Sequence, residues 1–213
     1  MKRRRRSGRR TDIADAILRV AGREGIGALT MERLGQEVGV TSGALFRHFP
    51  SRTAMLNEAA QRAAALLETA FPPPELPPLE RLRQFLIARS RLAASHAGIP
   101  QLVFSEQFAR ALPPSGARTV RGIVLRTRDF VAETLREAAS RGDVRRDIPA
   151  EELALTLMGA IFARALFASF VDGCDAPKPP TDAEAVWSHH LSLIRPHEQA
   201  PADQPSLIQG VDS

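Results

Sequence analysis

The run from Thr30 to Arg52, TMERLGQEVGVTSGALFRHFPSR, constrains the fold more than any other stretch of the chain. Thr30 is a good N-cap, and Met31, Leu34 and Val38 form an apolar stripe at i, i+3 and i+7. Gly39 follows at once and can take the positive φ that a sharp helix exit needs. Val40 is expected under the turn. Thr41 or Ser42 then caps a second helix, with Leu45 and Phe49 on one side. Pro50 ends that helix and Ser51 caps the next. Gly35, without a side chain, lets the two helices approach closely. Helix, short turn with glycine, helix is the helix-turn-helix plan, whose second helix enters the major groove of DNA.

An ordinary αα-hairpin would fit the same apolar pattern. Two features separate this stretch from one. Thr41, Ser42, Gly43 and Ala44 bury little, so the second helix has an exposed side that packing does not use. Arg33, Arg47, His48 and Arg52 flank it with groups suited to phosphates. Charge is distributed accordingly. Residues 1–55 hold 12 Lys+Arg against 5 Asp+Glu, and the remainder holds 17 against 19, within a formal net charge of +5. The opening MKRRRRSGRR carries seven basic residues, Arg9 and Arg10 among them. Like-charge repulsion predicts a disordered arm over residues 1–10. Beside a helix-turn-helix, such an arm follows the DNA backbone or enters the minor groove; a merely solvated tail is the alternative.

Residues 11–58 resemble the N-terminal domain of the TetR family of bacterial transcriptional regulators. The specific part is GVTSGALFRHFPSRTAML, residues 39–56. The resemblance implies base-edge contacts from Thr41, Ser42 and Gly43, and phosphate contacts from the Phe46 position, from His48 and from Arg52. One departure matters. The family commonly has Tyr where this chain has Phe46, and this chain has no Tyr at all. Phe46 therefore offers apolar contact, for instance to a thymine methyl, instead of a phenolic hydrogen bond to phosphate.

The rest of the chain reads as helix throughout. With 213 residues, 44% of them hydrophobic, it can bury a substantial core. The first helix is expected over about residues 12–24 and the fourth from Ser51 to about Ala70. Phe71-Pro72-Pro73-Pro74 and Pro77-Pro78 mark the clearest boundary. Beyond it, helices are expected over about 79–96, from Pro100 to the closing Pro113-Pro114, over about 116–141, from Pro149 onward, and over about 183–194. The fold class is thus all-α, about nine helices in total. The division is a disordered basic arm (1–10), a helix-turn-helix domain (11–56), a larger helical ligand-binding and dimerisation domain (57–195) and a flexible tail (196–213). No apolar run reaches the roughly 18 residues of a membrane span, no signal-peptide core follows the basic start, and Cys174 is the sole cysteine. A cytoplasmic protein is expected.

The helix after Pro149 is apolar nearly all round, which calls for cover on both faces. Leu157, Ile161 and Ala168 on it, with Val186, Trp187 and His190 on the last helix, are the expected homodimer interface, pairing with their copies as a four-helix bundle. A palindromic operator would then present two half-sites. Arg164 stands in this apolar helix and needs a partner: an ion pair, water reached by its stem, or an anionic ligand. Rings among helices are more often core than cavity wall. The resemblance nonetheless implies a small-molecule pocket in the second domain, whose occupation releases the operator. Its candidate lining is Phe85, Phe104, Phe108, Phe130, Phe162 and Arg164, with Gln107 a further polar anchor, for a small hydrophobic effector. No phosphate loop, nucleophile elbow or His-Glu-x-x-His occurs, and His189 and His190 are adjacent rather than i, i+4. No catalytic residue, metal or cofactor is expected. The competing reading is a DNA-bound protein of the same fold acting through a protein partner, such as a cell-division component.

Overall fold

The computed structural model describes residues 2–96, 98–171 and 182–196. Cys174 and residues 197–213 of the expected tail lie outside the described residues. The described residues form ten α-helices, one short 3-10 turn and no strand. In order they are α1 (Lys2–Glu24), the 3-10 turn (Ile26–Ala28), α2 (Met31–Val38), α3 (Ser42–Phe46), α4 (Arg52–Glu68), α5 (Pro78–Ser95), α6 (Gly98–Val103), α7 (Glu106–Ala111), α8 (Pro114–Arg141), α9 (Ala150–Phe170) and α10 (Ala183–Ile194).

Local chemistry sets the boundaries. Thr30 Oγ1 accepts from the Arg33 N–H at 3.0 Å, Thr41 Oγ1 from Ala44 N–H at 3.3 Å, and Ser51 Oγ from Ala54 N–H at 3.1 Å. Gly142 ends α8 in the left-handed region at φ 82°, where a Cβ would be strained. Asp182 caps α10 through the N–H groups of Glu184 and Ala185.

Two expectations change. The basic run, expected as a disordered arm, continues α1 as helix from Lys2. Arg and Lys are good helix formers, and extending a helix already docked through Ile13, Ile17 and Val20 needs no new nucleus. The single helix expected from Pro100 to Pro113-Pro114 is two. Ser105 interrupts it, its Oγ accepting from Phe108 N–H at 3.2 Å to start α7.

There are two apolar cores. The first holds Ile17, Leu34, Leu45, Phe49, Met55 and Leu56, and takes in Ile99, Leu102 and Phe108 from α6 and α7. The second holds Leu82, Phe85, Leu86, Val131, Leu135, Leu153, Leu157 and Trp187. The proline-rich segment therefore separates two helices but not two cores. Helix α4 packs with the first core, and α6 returns to α1 so closely that a Cβ on Gly98 would run into the Leu18 carbonyl oxygen. No described helix is long and apolar enough to cross a membrane.

Candidate nucleic-acid interface and ligand cavity

Helix α3 is short and held from behind. Leu45 and Phe49 are fully buried, anchoring it to the first core. Gly39 takes φ 67°, and the Val40 N–H bonds the Gly35 carbonyl at 2.9 Å, closing the turn. A Cβ on Gly35 would lie 2.7 Å from the Val40 carbonyl oxygen, so the close approach admits only glycine without a backbone shift. The outer side of α3 is open. Thr41 and Gly43 are exposed and Ser42 is half-buried. A Cβ on Gly43 would meet nothing within 4 Å. Phe46 is 52% exposed. Arg47 is exposed and forms no ion pair among the described residues, and His48 beside it is half-buried.

The other predicted cations are engaged inside the protein. Arg33 forms a fork with Glu24, at 2.9 Å from Nε and 2.5 Å from Nη2, and reaches Glu37 at 3.1 Å. These bonds, chiefly the one from Glu24, hold its guanidinium well above the ordinary value. Arg33 thus faces α1, where Arg19 and Arg23 share Glu37, and knits the helices together rather than waiting for phosphate. Arg52 donates to the carbonyls of Ile26 at 2.8 Å and Leu29 at 3.2 Å, fixing the loop before α2. Arg10 pairs with Glu58 at 2.5 Å and lies 5.9 Å from the Phe49 ring centre. The Arg9 side chain lies outside the described residues.

The second site is an apolar cavity, part of it open to solvent, among α4, α5, α6, α8 and α9. Phe85, Leu92, Ile99, Val103, Ile123, Met158, Ile161 and Phe162 are among its walls, and half-exposed Phe104 stacks on Phe162 at 4.4 Å between ring centres. Of the residues predicted for a pocket, the structure brings Phe85, Phe104 and Phe162 together here. Phe108 instead packs in the first core, because α7 folds back towards the DNA-reading helices. Phe130 lies behind the wall, against Phe71 at 5.2 Å and Phe85 at 4.9 Å. Gln107 and Arg164 do not line this cavity. Arg164 is half-buried and close enough to α10 to act on His190.

The charged residue that does border the cavity is Arg89, which sequence reasoning passed over. It is 7% exposed, and burial pushes its guanidinium down to about 10, offset in part by the charge of Glu68. Its signal was its register: Leu82, Phe85, Leu86 and Arg89 form one inward stripe of α5.

The predicted dimer residues require a correction. Leu157, Val186, Trp187 and His190 are already buried within this chain, Leu157 and Trp187 in the second core. Ile161 faces the cavity and Ala168 is half-buried. The apolar residues that α9 and α10 turn outward are Leu155, Leu166, Phe167 and Leu193, each 46% or more exposed, with exposed Gly159 and Ala163 between the first two. Both sides of α9 are apolar; Leu157 is spent on the chain's own core, while Leu155, Leu166 and Phe167 are left uncovered. Among the described residues no group of three or more His, Cys, Asp or Glu could hold a metal.

A family model described as bacterial regulatory proteins, tetR family, matches residues 13–59. No curated protein matches the chain. Solved structures do. The ketosteroid transcriptional regulator KstR2 of Mycobacterium tuberculosis superposes with a TM-score of 0.70 at 17% identity, over 88% of this chain and 95% of that one. AibR, solved with isovaleryl coenzyme A and operator DNA, gives 0.69 at 15%, over 87% and 97%. The TetR-family transcriptional regulator PfmR from Thermus thermophilus gives 0.64 at 21%, over 88% and 99%. Residues 13–59 thus match the N-terminal family model of bacterial tetR regulatory proteins, and the chain as a whole shares the fold of these solved regulators.

Proposed function

We propose that this protein is a homodimeric, sequence-specific DNA-binding regulator of the cytoplasm, a repressor that leaves a palindromic operator when a small hydrophobic ligand occupies its cavity. The observation that carries the reading is the outer side of α3: small, exposed Thr41 and Gly43, with Phe46 and Arg47 beside them, on a helix anchored from behind by Leu45 and Phe49. Small side chains there let the backbone approach base edges, Phe46 offers a face to thymine methyl groups, and Arg47 a charge to phosphate. One such short helix reads few base pairs. Two, related by a twofold axis and roughly 34–36 Å apart, would read two half-sites. The outward Leu155 and Leu166, which share one side of α9, together with exposed Phe167 and, on α10, Leu193, suit a second copy.

Coupling would run through α6. Ile99 belongs to the first core and also lines the cavity, and Gly98 lies against the backbone of α1. A ligand that wedges α6 from α8 and α9 would move α1 and, with it, α2 and α3. A coupling of about 1–3 kcal/mol is enough for a 5- to 150-fold loss of operator affinity. AibR, whose structure holds isovaleryl coenzyme A and operator DNA, supports a ligand-responsive reading of the shared fold. The cavity favours this over action through a protein partner, for which a filled core and an exposed groove on α4 and α5 would be the better design. Selection of bound duplexes from random DNA by the full chain, followed by apolar ligands added to the complex, tests the proposal. A palindromic consensus released by ligand is expected; sequence-independent binding overturns it.

A further inference from the structure

The situation of Arg89 says what kind of molecule the cavity takes. Its Nη2 donates to Thr127 Oγ1 at 2.7 Å, and the Thr127 hydroxyl donates in turn to the Ile123 carbonyl at 2.8 Å. Thr127 thus has a lone pair but no proton to spare, and serves to position the guanidinium. Arg89 Nε is buried without a hydrogen-bond partner. The Phe85 and Phe71 ring centres lie 4.9 and 5.5 Å from the guanidinium carbon. No carboxylate among the described residues pairs with it, and Glu68, whose charge it feels, is held by Arg126 at 2.7 Å. Ring faces and one neutral hydroxyl compensate a buried cation only in part, and arginine does not shed its proton to escape the cost. The rest of the wall is hydrocarbon and aromatic apart from Thr127.

We propose that the ligand is an apolar molecule ending in a carboxylate, which pairs with Arg89 while its hydrocarbon body lies against Ile161, Phe104 and Phe162. A planar carboxylate matches the guanidinium fork and supplies the missing charge inside the cavity. A phosphate dianion would exceed the single cation available, and a neutral molecule would leave Arg89 uncompensated. The proposal rests on the reading of the cavity as a ligand site and names its chemistry.

Calorimetric titration of the full chain with decanoate, decanol and decyl phosphate tests it without DNA. Decanoate is expected to bind at least about tenfold more tightly than decanol, with decyl phosphate no tighter than decanoate. Arg89→Met should bind acid and alcohol alike. Thr127→Val, a milder change, should shrink the preference while the circular dichroism spectrum stays helical, so the test survives if Arg89→Met fails to fold. Equal binding of acid and alcohol by the unaltered protein overturns the carboxylate and leaves the apolar pocket standing. A tenfold preference for the phosphate also overturns it. Failure of all three to bind removes both the proposal and the ligand-site reading beneath it.

Discussion

Gly35 and Gly43 stand in the same motif with opposite surroundings. Alanine at Gly35 sets a Cβ against the Val40 carbonyl and should cost about 1–3 kcal/mol in urea denaturation. Alanine at Gly43 meets nothing, so stability should rise by about 0.5–1 kcal/mol while operator affinity falls, because the gap Gly43 leaves is where DNA would approach. A Gly43→Ala protein that binds as well as the parent would contradict that placement. Arg47 and Arg33 make a second contrast. Arg47→Ala should weaken binding to all sequences alike and lower the salt slope of log affinity by about one. Arg33→Ala should leave the slope unchanged and lower the melting temperature, since its guanidinium is spent on Glu24 and Glu37. At this scale the caps were readable in the sequence, because Thr30, Thr41 and Ser51 act on atoms three residues away. The partners of Arg33 and Arg52 were not, because Glu24 and the Ile26 and Leu29 carbonyls reach them only through the packing of α1 and the loop before α2.

Helix α9 shows where periodicity stops informing. Its apolar residues encircle it, so the need for two covers follows from the sequence, but not which side meets the chain's own core. The structure turns Leu157 inward and Leu155 outward. Leu157→Ala should therefore cost about 2–5 kcal/mol of stability and leave the assembly intact. Leu155→Glu combined with Phe167→Glu should keep helix content and give a monomer in sedimentation at micromolar concentration. A dimer that survives the double change would move the interface elsewhere. The α6–α7 break follows the same logic: Ser105 is a visible cap, but the apolar Leu102, Val103, Phe104 and Phe108 read through it as one stripe. Charge repulsion alone does not foretell the helical start of α1, because the docked helix that follows supplies its nucleus.

Across the whole molecule, α6 belongs to the first core and also walls the cavity, and that double placement links cavity to DNA-reading surface in a way that the proline boundary concealed. One buried titratable group reports on the global fold. Burial holds His190 below the ordinary imidazole value, Arg164 and His189 push the same way, and a bond to the Val186 carbonyl at 2.6 Å opposes them. The unfolded chain therefore takes up this proton at higher pH than the folded one, so stability falls as pH drops below about 6.5 and levels off beneath the folded value. Denaturation at about pH 7.5 and about pH 5.5 should show a smaller loss for His190→Gln than for the parent; equal losses would assign the slope to other groups. The central claim is that α3 touches bases, and the ratio of affinity for a selected operator to affinity for random duplex, at fixed salt, tests it most directly. Gly43→Ala and Phe46→Ala should cut that ratio by about tenfold, within the roughly 1–3 kcal/mol that one base contact discriminates, while Arg47→Ala lowers both affinities and leaves it unchanged. A ratio indifferent to every change on α3 would contradict the account.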